Sequence, residues 1–558
     1  MVDNSFFCQD MTGKKVMVLA PHQDDEIYMS GALIYSLNIN KADIYVVYST
    51  NGDYKFKAET RFSEAYNSLS ILGIPKKNII FLGFADGCLD DKHIFYADVP
   101  QKSLSGHVET YGVGESKDFS KIYRHKHMPY TKEGFLNTLK DVILFIMPDI
   151  IFCVDHDTHW DHRMLSVSFD IVMGEILNEY LMYKPQIFKI LAYATSYEAV
   201  PDFYRKNIKS VPMPKVGEVL GYDTNILEYS YYLWESRVRF PVLKKCRGRF
   251  KINNILFRAM CKHMSQGAAM HADYAINGDV VYWQRRTDNL AFSAFLSASS
   301  GNPEYVRDFR LYGIDDIDPR KKYIEFKDNM WIPNDGDNER EIVFSWCEPQ
   351  CVEYIVIYGN INDTGCIKKI QVKCDNGTDI KIIPLFNKGR ANVVKLSNTR
   401  DIRSLKLKIL DAEGKYGLNQ VEIFADKYQV SSIQPYVKIT YNGDFIYDYW
   451  INKNIRELTF DIYRYACDDE IELLLKKQTY SEIKGNTLFI NPLDDRVTIL
   501  AKSRVNNKIY DEVEIIRKSK FDVCKLRIAQ KIEYYIINFV LRRLKKYMYL
   551  RNKYIGDI

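Results

Sequence analysis

Long apolar runs, a basic body and a disulfide framework are all missing from this chain. Among its 558 residues no uninterrupted apolar stretch reaches the roughly 18–20 residues that an ordinary transmembrane helix needs. The opening residues 1–8 lack both a charged start and a long apolar core, so they do not read as a signal peptide. The eleven cysteines are odd in number and irregular in spacing. Cys347 and Cys351 come nearest to a motif, but no second pair stands at zinc-site distance, and free thiols in a reducing cytoplasm are the expectation. Net charge is only +5. Residues 518–558 hold eleven Lys/Arg against three Asp/Glu, leaving the remainder slightly acidic. Nucleic-acid binding by the body is thereby excluded, since duplex binding calls for a basic face on the folded domain.

What is present is an ordinary globular balance, 46% hydrophobic and 27% charged, over a length that suggests three or four folded units. Residues 15–20, 44–48, 79–82 and 149–154 read as buried strands. Helical patterns lie at 31–37, 59–72 and 133–147, and again at 161–182 and 255–264. Continuous apolar strands alternating with helices predict a Rossmann-like, doubly wound α/β domain with a parallel sheet. Ligands of such sheets sit beyond the carboxyl ends of the strands. Residues 85–130 carry no period and are long for a connection, so an active-site loop or lid is expected there.

Two windows stand at two predicted strand ends. Pro21-His22-Gln23-Asp24-Asp25-Glu26 follows the first strand, and Asp155-His156-Asp157-Thr158-His159-Trp160-Asp161-His162-Arg163 follows the fourth. They hold four of the ten histidines. Taken alone, Asp24-Asp25-Glu26 fits the capping of a helix start, and His159 with His162 fits a pair on one side of a helical turn. If both strands point the same way in one sheet, the windows meet at its carboxyl edge and supply borderline and hard donors there, which is what a catalytic zinc with three protein ligands and an open position requires. A His/Asp site also accepts iron or cobalt.

The paired motifs Pro-His-x-Asp-Asp-Glu and His-x-Asp-His resemble those of the LmbE-like N-acetylglucosaminyl deacetylases, which include the glycosylphosphatidylinositol (PIG-L) de-N-acetylases. Arg61-Phe62-Ser63-Glu64, Phe84-Ala85-Asp86-Gly87, Met264-Ser265-Gln266 and Gly278 are further matches. Gln23 and Trp160 depart from the family, which more often has Pro there. The resemblance spans residues 14–287 and implies His22, Asp25 and His162 as zinc ligands. It implies Asp24 as general base, His159 as the group that stabilises the oxyanion or protonates the amine, and Asp161 as the carboxylate orienting His159. Asp24 and Asp25 leave the turn in different directions, so one ligand and one base is the economical division. Arg61 and Asp86 are candidate substrate contacts. Arg61 has an alternative in pairing with Glu64 or Asp53, and His156 one as a strand-end residue. His107, His125 and His127 are loop histidines that either touch substrate or do nothing.

Past residue 288 short alternating segments replace the helices. Residues 288–426 resemble a galactose-binding-like, discoidin-type β-sandwich, in which Trp331 is either core or a sugar platform. Residues 430–517 read as a second, immunoglobulin-like sandwich. Residues 521–555 form an amphipathic helix with basic Arg542, Arg543, Lys545 and Lys546. Either it docks on the chain's own domains or a partner, or it makes peripheral contact with an anionic membrane on the cytoplasmic face.

The expectation is therefore a cytoplasmic, zinc-dependent deacetylase of an N-acetylglucosamine-type sugar in a surface glycan or glycolipid intermediate. A metal-dependent amidase on another N-acyl substrate and a glycan-binding adaptor with an inactive domain are the alternatives. A phosphoesterase would want a second metal, for which no second ligand cluster is read.

Overall fold

The computed structural model describes residues 10–89, 92–93, 97–156, 159–197, 203–213, 233–313, 327–361, 364–377, 379–382, 384–387 and 389–555. Residues 1–8, Asp157 and Thr158 of the sequence reading lie outside them.

A seven-stranded sheet organises the first part of the chain. Its strands are β1 (Lys15–Ala20), β2 (Asp43–Thr50), β3 (Ile79–Phe84), β4 (Ile150–Val154), β5 (Gln186–Ile190), β6 (Val238–Pro241) and β7 (Asp279–Arg285), in the order β3-β2-β1-β4-β5-β7-β6. The five strands from β3 to β5 are parallel, as the continuous apolar runs require. At the far edge β7 and β6 join antiparallel. The sheet is thus mixed, not purely parallel. Both antiparallel strands carry charge that the apolar signal does not read: Arg239 of β6 donates from Nε to Asp279 of β7 at 2.7 Å.

Among the described residues, four helices of fourteen residues or more flank the parallel strands: α1 (Asp25–Ile39), α2 (Ala58–Ile71), α3 (Lys132–Ile146) and α4 (Trp160–Glu179). Thr131 caps α3 by accepting from the Gly134 N–H, and Met147 ends it in the left-handed region at φ 49°. Helix α1 starts six residues before the apolar period suggests, because its first turn is polar. Even so, Asp25 and Glu26 are buried. β1 lies between β2 and β4, with Val16 beside Ile150 and Leu19 beside Cys153. The chain therefore leaves β1 and β4 side by side at the same sheet edge, where the strand order reverses.

Beyond β7, a five-stranded sheet runs Phe295–Ala298, Glu341–Gln350, Ile402–Gly414, Gly365–Cys374, Asp379–Ile382. It faces a three-stranded sheet of Asn392–Lys395, Tyr354–Tyr358 and Gln420–Phe424. Their common core includes Ile342, Phe344, Ile355, Ile357, Leu405 and Trp331. Trp331 is fully buried and donates its indole N–H to Ser300 O at 2.7 Å, which settles it as core. The outer face of the smaller sheet packs Val356, Tyr358 and Phe424 against Val167, Leu191 and Trp283 of the first unit. Residues 436–518 form further β-sheets whose largest is not purely antiparallel, since Asp448–Asn452 runs parallel to Tyr510–Lys518. This unit is also welded to the first. Tyr436 and Tyr465 join its core, and Tyr447 Oη donates to Gly278 O at 2.7 Å. The chain closes in a single helix, α5 (Lys520–Ile555).

Candidate active site

The turn after β1 bends sharply into α1, and Asp24 occupies the bend. Its φ of 145° lies where side chains are rarely tolerated. Strain of this kind persists only where the surroundings over-determine it, and here they do. The Asp24 N–H donates to Glu26 Oε2 at 2.8 Å, and Glu26 in turn accepts from His263 Nε2 at 2.8 Å with both residues fully buried. Asp24 stands at the helix N-cap position without a side-chain capping bond, so capping does not explain it. Its carboxylate instead accepts from Arg61 Nη2 at 3.2 Å. Burial, partly offset by the Arg61 guanidinium and reinforced by Asp25, pushes the Asp24 carboxyl up to about 6.

Six more of the expected residues meet at this edge. Asp25 Oδ2 lies 2.9 Å from His22 Nδ1 and 3.1 Å from His162 Nε2, one carboxylate oxygen against two imidazoles. His22 Nε2 is 3.1 Å from Asp161 Oδ2 and 3.4 Å from Asp86 Oδ1. Burial works against a charged His22, yet Asp86, Asp161 and Asp25 outweigh it and hold its pKa well above the ordinary value. Burial likewise opposes ionised Asp25, and His162 and His22 hold it well below the usual carboxylate range. His159 caps α4, its Nδ1 accepting the Asp161 N–H at 3.3 Å. That bond needs an unprotonated Nδ1. Desolvation in the crevice and the neighbouring His22 and His162 push its imidazole down to about 4.

The donor chemistry fits a divalent cation. Among the described residues the nitrogens of His22, His159 and His162 lie within 4.8 Å of one another, and so do donor atoms of His22, Asp86 and Asp161. With Asp25 bridging His22 and His162, imidazole and carboxylate donors converge as a zinc-type site asks. The grouping with Asp86 and Asp161 is one that the sequence reading missed. It shares His22, so it is another side of the same cluster.

Three positions differ from expectation. Asp161 sits 3.6 Å from His159 Nδ1 but 3.1 Å from His22 Nε2, so its carboxylate orients His22 and its backbone N–H orients His159. Arg61 is buried and meets Asp24 and Gln23, the latter at 3.4 Å, rather than Glu64 or Asp53. Asp86 faces His22, its own N–H held by Asp53 Oδ1 at 2.9 Å. Glu64 is instead taken by Ser265, through N–H and Oγ at 2.7 and 2.6 Å. His156 belongs to a buried network behind the site. It pairs with Asp155 at 3.0 Å, and Ser166 links that carboxylate to Lys189 and Asp170. In the long loop, His127 pairs with Asp118 at 2.8 Å, and His107 stacks on Tyr111, whose hydroxyl donates to Asp53 at 2.7 Å. Tyr193, whose ring centroid is 4.9 Å from that of His162, and His263 escaped the sequence reading. Neither lies in one of the two motifs, although His263 directly precedes Met264-Ser265-Gln266.

Residues 17–171 match the family model described as GlcNAc-PI de-N-acetylase, PIG-L. The chain carries a PIG-L domain. Both motifs and every expected site residue fall inside the matched span. Residues 289–424 match a model described as a domain of unknown function, DUF7402. A search of the curated proteins gives no match. Among solved structures, a teicoplanin-pathway deacetylase triple mutant is 13% identical, with 49% of this chain and 99% of that one covered at a TM-score of 0.27. The N,N'-diacetylchitobiose deacetylase from Pyrococcus horikoshii is 20% identical over 30% of this chain at a TM-score of 0.20, and the chain spans about half, 52%, of its length. A family 32 carbohydrate-binding module from C. perfringens, in complex with galactose, is 13% identical over 24% of this chain and 94% of that one, at a TM-score of 0.19.

Proposed function

We propose that the PIG-L domain is a metal-dependent hydrolase that removes the acetyl group from an N-acetylglucosamine-type sugar carried on a glycan or glycolipid intermediate. The observation that carries this reading is the convergence of His22, Asp25, His162 and His159 at one sheet edge, with the separately held Asp24 beside them. His22, Asp25 and His162 would hold the ion, zinc by preference. Once bound, it supplies Lewis acidity toward the acetamide oxygen and a water of lowered pKa.

The chain's residues do the rest. Asp24 takes a proton from the attacking water as the new C–O bond forms. It passes that proton to the amine nitrogen as the C–N bond breaks, releasing acetate and the free amine. Arg61 keeps the Asp24 carboxylate from swinging away, and Glu26 keeps its backbone in the strained bend. With Nδ1 occupied by the Asp161 N–H, His159 carries its proton on Nε2 and donates to the developing oxyanion. Asp161 and Asp86 fix the far side of the His22 ring, as carboxylates behind a ligating imidazole do.

The test is acetate release from UDP-GlcNAc, a lipid-linked GlcNAc and a GlcNAc oligosaccharide, with Asp24→Ala as the blank. Release that depends on Asp24 supports the reading and ranks the carriers. No release from zinc-loaded protein on any of the three would overturn it in favour of another acyl substrate or a binding role.

A further inference from the structure

Helix α5 has two faces with different fates. Gln530, Glu533, Tyr534, Ile537, Leu541 and Leu544 recur at spacings of three and four and face the PIG-L domain. Gln530 donates to Arg249 O at 2.9 Å, and Glu533 accepts from the Lys251 and Ile252 N–H groups, both at 3.0 Å. Leu541 and Leu544 close over Met260, His263, Met264 and Gly267. Docking on the chain's own domain is therefore realised, but it uses only half of the helix.

The opposite face remains apolar and uncovered. Phe521, Ile528, Ile532, Tyr535, Ile536 and Phe539 are each more than half exposed. Phe521, Ile528 and Tyr535 are seven residues apart, as are Ile532 and Phe539, so they form one stripe along the helix. Cations border it. Lys525 lies 4.7 Å from the Phe521 ring, Arg543 lies 4.8 Å from that of Phe539, and Arg542 and Lys546 are exposed at the same end. From residue 534 to residue 555 there is no Asp or Glu.

We infer that this stripe lies in the interface of an anionic lipid surface. Charge decides between that occupant and a second copy of the chain. An antiparallel pair would set Arg542, Arg543 and Lys546 against Lys520, Lys525 and Arg527, which outnumber the one acid there, Asp522, and a parallel pair would set them against their own copies. Both arrangements place cation on cation, at a cost. An anionic membrane surface, such as that of a cytoplasmic leaflet, complements them while its acyl region takes the aromatic and aliphatic side chains. Among the described residues no helix is long and apolar enough to cross a membrane, so α5 lies on the surface rather than through it. The docked half of α5 rests on the same loop whose His263 holds Glu26 beside Asp24. The lipid-facing surface is thus tied to the active-site end of the sheet.

Vesicle co-sedimentation of the full chain tests the inference without any substrate, so it stands or falls apart from the deacetylase reading. Two vesicle sets are used, phosphatidylcholine alone and phosphatidylcholine with phosphatidylglycerol in a three-to-one ratio. The protein should pellet with the second set and not the first, less so as salt rises. The exposed pairs Ile532→Ser/Phe539→Ser and Arg542→Ser/Arg543→Ser should each weaken partition at least about tenfold, with unchanged circular dichroism. Pelleting with neither set, or equally with both and in both variants, would overturn the inference. So would a dimer seen by sedimentation velocity without vesicles that Ile532→Ser/Phe539→Ser dissolves, which would assign the stripe to a second copy.

Discussion

His263 sits some 240 residues from the first motif, fully buried, with Nε2 2.8 Å from Glu26. Removing it with His263→Ala leaves a carboxylate in the interior with the Asp24 N–H and the Tyr48 hydroxyl beside it but no counter-charge from the imidazole. Breaking a buried pair from one side costs about 3–5 kcal/mol, and a domain of this size loses roughly 2–4 °C of melting temperature per kcal/mol. A fall of about 6–20 °C is expected. His263→Gln keeps an N–H donor and most of the volume, so it should lose only about 1–2 kcal/mol. Because Glu26 also holds the Asp24 N–H, both variants should lose activity in the same order as they lose stability. The pair has a pH signature too. Burial lowers the His263 pKa, but Glu26 more than compensates and leaves it raised. A raised histidine contributes stability that is complete below the unfolded value of about 6.5 and fades as pH climbs through the folded one. Wild type should therefore exceed the double variant Glu26→Gln/His263→Gln most at pH 6 and below, and progressively less above it. Urea denaturation across that range is the assay. A His263→Ala protein within about 1 kcal/mol of wild type would refute the reasoning.

Asp24→Asn should cut the rate of acetate release by about 10²–10⁴-fold while leaving metal content unchanged, since the base is held apart from the ligands; elemental analysis beside the kinetics checks both halves. His162→Ala removes an imidazole that touches Asp25 and should abolish metal retention and activity together. A chelator should silence the wild type, with zinc restoring it. Trp331→Ala empties a fully buried site in the sandwich, so it should destabilise that unit by about 3–5 kcal/mol. Differential scanning calorimetry would show this, and a sugar-binding change without a stability change would contradict it. Lys189→Met removes the cation 2.8 Å from Asp170 and leaves that carboxylate Arg285 at 3.8 Å, so it should cost about 1–3 kcal/mol in the same calorimeter.

Four of the five parallel strands and both motifs were legible because their signals are local, whereas β5, with Gln186 and Lys189 in its five residues, was not read. Four-residue apolar runs announce buried strands, and side chains that must meet one ion cluster just past strand ends. The same locality explains what could not be read. Gln23 and Arg61 are ordinary polar residues until the fold sets them against Asp24. The antiparallel edge of β6 and β7 carries buried Arg239 and Asp279, and a charged residue in a short strand looks exposed in one dimension.

By itself, then, the sequence determined the strand–helix alternation, the two clusters of imidazole and carboxylate donors past strand ends and the amphipathic period of the last helix, all of them set by neighbours a few residues apart. The tertiary structure alone decided the partner of each donor: that Asp161 leans on His22, that Glu26 is met by His263, and that α5 spends one face on residues 249–267 of the first unit and keeps the other uncovered. Such pairings follow from burial, where a charge must find whatever counter-charge the fold brings within hydrogen-bond distance, and nothing in the spacing along the chain records that distance.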